Sequence, residues 1–225
     1  MTTTLTESPP EPADTAAGRR LRMTLLAIIA VAALLLAGGI GYLVRGGSSS
    51  ASPGVGSVDA GFARDMATHH TQAVSMAGIA RDRSTDAAVK TLAFDIETSQ
   101  QFQIGQLDGW LTAWGLGRTA SIAPMAWMGH VHLSADGLMP GMASPTEMAR
   151  LQTLSGEALD IDFLQLMLRH HQGGVPMAQY AAEHAEFGYV HNLAAKIVQA
   201  QSNEIITMEQ MLRERGAAPL PAPQF

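Results

Sequence analysis

Apolar residues occur along this chain in two patterns, and the two imply different surroundings. From Met23 to Val44 there are 22 residues without a charge, bordered by Arg22 and Arg45. At about 1.5 Å per residue such a run spans a hydrocarbon layer roughly 30 Å thick, which predicts a transmembrane helix. Further on, apolar residues recur at spacings of three and four, the mark of helices with one buried face. Leu193, Ile197, Ile205, Met208 and Leu212 form such a stripe. No run of alternating β-branched residues calls for a strand.

The helical pattern is duplicated at an offset of 101 residues. Phe62 pairs with Phe163, Met66 with Met167, His69-His70 with His170-His171, Met76 with Met177 and Ala77 with Ala178. The register continues without a gap through Val89 and Val190, Ile96 and Ile197, Gln100 and Gln201, Leu111 and Leu212, and Gly115 and Gly216. A run of this length marks a repeated structural unit. Each unit reads as a helical hairpin. The first arms run from about Ser57 to Arg81 and from about Glu157 to Glu186, and Gly115 and Gly216 sit where a glycine cap ends each second arm. A lone hairpin cannot bury its apolar face, so units 57–115 and 157–216 are expected to pack as an antiparallel four-helix bundle over residues 57–216.

The remaining segments follow from this frame. Residues 1–22 hold few apolar side chains before the anchor and read as a disordered cytoplasmic tail, and 45–56 as a Gly/Ser linker. Arg19, Arg20 and Arg22 precede the 23–44 segment, which orients the N-terminus to the cytoplasm and the bundle outside. A cleaved signal peptide is the alternative, against which the length of the apolar run argues. The connection 116–156 is irregular up to Ala143, after which Ser144-Pro145-Thr146-Glu147 has the residues of a capping box. Ser155-Gly156 should separate that short helix from the next, and Pro176 should kink the latter. Residues 217–225 form a C-terminal tail. Ala37-x-x-x-Gly41 permits close helix contact in a membrane, and so a homo-oligomer.

Composition narrows the chemistry. Cysteine is absent, which removes disulfides, thiolate zinc sites, iron–sulfur ligation and cysteine nucleophiles together. With 14 Lys plus Arg and a net charge of −6, the chain is not built to hold a nucleic acid by its phosphates. Soft chemistry is left to 13 Met and eight His. On a helix Met66, His69 or His70, Ala73 and Met76 share a face, as do Met167, His170 or His171, Gly174 and Met177. Imidazole together with thioether suits copper, Cu(I) above all, and suits hard cations poorly. Candidate ligands are therefore His69, His70, His170, His171, Met76 and Met177. Asp65, one turn before His69, is a candidate orienting or ligating carboxylate, or else a solvated surface acid. Met125, Met128, His130 and His132 in the connection, with Met139 and Met142, form a second and weaker candidate set. No Glu-x-x-His occurs, which disfavours a di-iron carboxylate centre, and hydrolytic triads, phosphate loops and HExxH are missing.

The two motifs Phe62-x-x-Asp65-Met66-x-x-His69-His70-x-Gln72-Ala73-Val74-x-Met76-Ala77 and Asp160-x-x-Phe163-Leu164-x-x-Met167-x-x-His170-His171-x-Gly173-Gly174-Val175-x-Met177-Ala178 resemble the domain of unknown function 305 family over about 57–214. The resemblance implies a ferritin-like four-helix fold, an extracytoplasmic bacterial protein and, for some relatives, copper binding. Gly173-Gly174 and Pro176 depart from the family's usual second motif. The expectation is a membrane-anchored, extracytoplasmic, non-enzymatic protein that sequesters or delivers copper through His69, His70, His170 and His171, with Asp65 and Asp160 as orienting groups. The rival reading is a structural or interaction module whose paired histidines are buried hydrogen-bonding residues without a metal.

Overall fold

A computed structural model describes residues 52–129 and 133–225. The tail, the 23–44 segment, most of the linker, and His130 and His132 lie outside the described residues. Among the described residues no helix is long and apolar enough to cross a membrane.

The described chain is all-helical: α1 (Val58–Arg83), α2 (Ala87–Ala113), a 3-10 turn (Ala126–Met128), α3 (Pro145–Thr153), α4 (Gly156–His184) and α5 (Gly188–Glu214). Local chemistry sets their ends. The Ser57 hydroxyl accepts from Ala60 N at 3.2 Å, and the Asp86 carboxylate accepts from Ala88 N and Val89 N at 2.8 and 3.2 Å. Ser144 and Glu147 complete the expected capping box. Gly115 and Gly216 take φ of 69° and 65°, which glycine adopts without strain. After them Leu116 N donates to Leu111 O at 2.8 Å and Ala217 N donates to Leu212 O at 3.0 Å, the same closing bond in both units. Gly156, at φ 59°, opens α4 after the break at Leu154 and Ser155. α4 carries Gly173, Gly174 and Pro176 within one continuous helix, so the proline does not end it.

α1 packs along α2 and α4 along α5, and the two hairpins join across α1 and α4. The core falls into two apolar clusters. One gathers Met76 and Ile96 with Phe163, Met167 and Leu212; the other gathers Phe62, Met66 and Leu107 with Met177, Val190 and Ile197. The early half of α1 thus meets the late half of α4, and the reverse, as antiparallel packing requires. Neither cluster contains a residue between Ala67 and Ala73 of α1 or between Leu168 and Met177 of α4. The histidines occupy that gap.

Candidate metal centre

A bundle core is normally apolar throughout, because a buried polar group is costly unless it is paired. Here His69, His70, His170 and His171 are all 0% exposed, and Gln100 and Gln201, one from each second arm, are each 2% exposed. The repeat therefore builds a polar layer between the two apolar clusters. The His69 and His170 rings lie with centroids 3.7 Å apart and planes tilted by 37°. They meet because the duplicated arms run antiparallel and bring equivalent residues together at the crossing.

Hydrogen bonding fixes what each ring offers. His69 Nε2 bonds the Pro140 carbonyl and His170 Nε2 bonds the His69 carbonyl, both at 3.1 Å. His70 Nε2 meets Gln103 Oε1, and His171 Nε2 meets the Glu204 carboxylate, both at 2.6 Å. Carbonyl and carboxylate oxygens only accept, so the ring proton sits on Nε2 in each case. Every Nδ1 is then a bare lone pair, and none of the four has a hydrogen-bond partner. Metal-ligating imidazoles are commonly held in this way, with the second nitrogen donating to a carbonyl or carboxylate. Both amide atoms of Gln100 and of Gln201 are likewise unpartnered.

Burial also keeps His69, His70 and His170 neutral. Desolvation pulls His69 down to about 4, against a weaker opposing effect of its bond to Pro140. Desolvation and then the neighbouring His69 bring His70 to about 3, and the same two causes hold His170 well below its ordinary value. Neutral imidazole is the form that binds metal, so ions do not compete with protons for these three rings near neutral pH. Met66, Met76, Met167 and Met177 are all 0% exposed, two in each apolar cluster flanking the layer. Among the described residues no group of three His, Asp or Glu side chains is placed to hold a metal ion. Imidazole and thioether are soft donors, suited to ions such as copper rather than to a hard cation.

Neither carboxylate expected to orient the imidazoles is bonded to one. Asp65 is buried and accepts from Met125 N and Trp127 Nε1, both at 2.7 Å, so it seats the 3-10 turn on α1 and is not a surface acid. Desolvation raises its pKa. Trp127 lies so close to Gly61 that a Cβ there would stand 2.3 Å from the indole. Asp160 lies ten residues before His170, roughly 15 Å along α4, beside Thr85, Asp86 and Arg215 near the α1–α2 turn. Its repeat mate Asp59 accepts from Glu186 N and Phe187 N at the other turn. In the connection, Met125 and Met139 are buried in the core, and Met128 and Met142 pack partly against it. These methionines pack against the bundle, while His130 and His132 of the same candidate set lie outside the described residues.

Sequence reasoning missed the residues around the rings. Gln72 straps the connection down: its amide donates to Ala143 O at 2.9 Å and accepts from Ala143 N at 2.7 Å. Gly173, the repeat mate of Gln72, lets Pro140 approach, since a Cβ there would fall 2.0 Å from the Pro140 oxygen. A Cβ on Gly174 would stand 2.7 Å from Gln201 Oε1 and 3.3 Å from His69 Cε1. Those contacts account for the unusual Gly173-Gly174. The available signal was the pairing of Gln100 with Gln201 and of Gln103 with Glu204 at the repeat offset, polar positions inside apolar stripes.

Residues 59–212 match the domain of unknown function DUF305. The chain belongs to the DUF305 family. A DUF305 protein of Streptomyces coelicolor, inferred to be secreted, shares 45% identity over 75% of this chain and 99% of its own, with a TM-score of 0.70. A DUF305 fragment from Deinococcus radiodurans shares 36% identity over 70% of this chain and 96% of its own, at a TM-score of 0.59. CopM in a Cu(II)-bound form is similar at 26% identity over 70% of this chain and 97% of its own, at a TM-score of 0.54, and CopM is also known in Cu(I)-bound and Ag-bound forms. No curated protein matches this DUF305 chain.

Proposed function

We propose that this DUF305 protein is a non-catalytic, extracytoplasmic binder of monovalent copper, held at the membrane by its 23–44 segment, which sequesters or passes on the ion. The observation that carries the reading is the close His69–His170 pair, with every Nδ1 lone pair of the layer buried and without a protein partner. His69 and His170 are the principal ligands. His70 and His171 complete the layer, and Met66, Met76, Met167 and Met177 are the thioethers within the flanking clusters. Similarity to CopM, which binds copper and silver, and to a relative inferred to be secreted supports the reading. A bound ion would supply soft Lewis acidity at the layer, and the role proposed for it is storage or transfer of the ion.

Competition titration of the full chain with Cu(I) against a chromophoric chelator tests this. The variant His69→Ala/His170→Ala is expected to bind at least roughly 100-fold more weakly than the wild type, about 3 kcal/mol. Equal affinity in the two would sink the reading. The rival structural reading instead expects no Cu(I) binding by either.

A further inference from the structure

The duplication makes two grooves between α2 and α5, and they have diverged. One cavity, about 360 Å³, is lined by Gln103, Trp110, Tyr189 and Lys196 among others. The other, about 650 Å³, is lined by Glu204, Met211, Ala88 and Asp95 at the positions 101 residues away from these. In the smaller groove Trp110 and Tyr189 fill the space, with ring centroids 5.0 Å apart. Their counterparts Met211 and Ala88 leave the larger groove open. Charge diverges in the same sense, with Lys196 and neutral Gln103 in the smaller groove against Asp95 and Glu204 in the larger one.

The open groove reaches the histidine layer through one residue. The Glu204 side chain is 20% exposed and its carboxylate is bonded at 2.6 Å to Nε2 of His171, which is 0% exposed. The other ring nitrogen of His171 is unpartnered, as are both amide atoms of Gln201, which lies three residues before Glu204 on α5. We infer that the α2–α5 groove at Asp95 and Glu204 is the port through which a soft monovalent cation enters and leaves the histidine layer, its twin being narrowed by aromatic rings and lacking the carboxylates. The inference rests on the copper-binding reading above. Two carboxylates raise the local cation concentration at a low-dielectric mouth, and Met211 supplies a thioether there. Glu204 is a positioning residue that spans from solvent to the first buried ring.

Stopped-flow transfer of Cu(I) between the full chain and bicinchoninate, in both directions, reads the port. Glu204→Gln copies the narrower groove's Gln103, and is expected to slow uptake by roughly tenfold. Ala88→Tyr/Met211→Trp transplants the aromatic filling from the twin groove and is expected to slow both directions without touching a charge. Wild-type exchange rates in both variants would overturn the port and leave the binding reading standing. Lost affinity at unchanged rates of uptake in Glu204→Gln would also overturn it, because Glu204 would then be a ligand. A wild-type chain that takes up no Cu(I) at all would overturn the binding reading and the port with it.

Discussion

Each of the four histidines satisfies one ring nitrogen and leaves the other without a protein partner in the buried core. An orphaned buried polar atom costs about 1–3 kcal/mol, so without an ion the layer destabilises the fold. His69→Leu/His170→Leu is therefore expected to raise the stability of the metal-free protein by about 1 kcal/mol or more in denaturant unfolding while abolishing ion binding. A loss of stability would favour the structural reading. The same burial fixes the response to acid. His69, His70 and His170 have folded pKa values below the unfolded 6.5, so between that value and about 4 the unfolded chain binds protons that the folded core refuses. Stability is full above 6.5 and is lost as pH falls through the folded values, with His69 alone contributing on the order of 3 kcal/mol. Thermal melting from pH 7 downward should show that slope and the Leu double variant should flatten it; a flat wild-type profile counts against buried neutral rings. His171 and Glu204, Gln103 and the Pro140 carbonyl are the groups that face these rings from neighbouring elements.

At the scale of elements, the glycines of α2 and α4 separate helix propensity from packing. Gly105 has no atom within 4 Å of an added Cβ, so Gly105→Ala should stabilise by about 0.5–1 kcal/mol. Gly173→Ala gains the same propensity but drives a Cβ into the Pro140 carbonyl, and the clash wins because the strap is backbone. A lower melting temperature in Gly173→Ala and a higher one in Gly105→Ala are expected, and a rise in both would mean that the strap does not press on α4. Most of these elements were legible in the sequence. The gapless offset gave two hairpins, the glycine caps and the capping box gave their ends, and α1 and α4 begin and end within two residues of the expected arms. What periodicity does not carry is contact between residues far apart in the chain. Nothing near Asp65 in sequence announces that Trp127, 62 residues on, will take its carboxylate, nor does Gln72 announce Ala143. Asp160 looked like a partner of His170 because both belong to one motif; ten residues of helix carry it to the other turn.

For the whole molecule, duplication and divergence act together. The pseudo-symmetry delivers His69 to His170 with no metal motif in the linear sequence, since each unit contributes one half of the layer and neither HH pair predicts on its own which ring meets which. Divergence then works on equivalent positions: Gln72 against Gly173 lays the connection over one side, and Gln103 against Glu204 sets a carboxylate on one buried ring and an amide on the other. The central claim is that Nδ1 of His69 and of His170 hold a soft monovalent ion. Nitrogen-15 NMR of the histidine rings, recorded on the full chain before and after one equivalent of silver(I), tests it most directly. The metal-free rings are expected to carry their protons on Nε2, and silver is expected to shift Nδ1 of His69 and His170 while those protons stay in place. Silver bound with both Nδ1 resonances unmoved, or a ring proton already on Nδ1 in the metal-free protein, would contradict it.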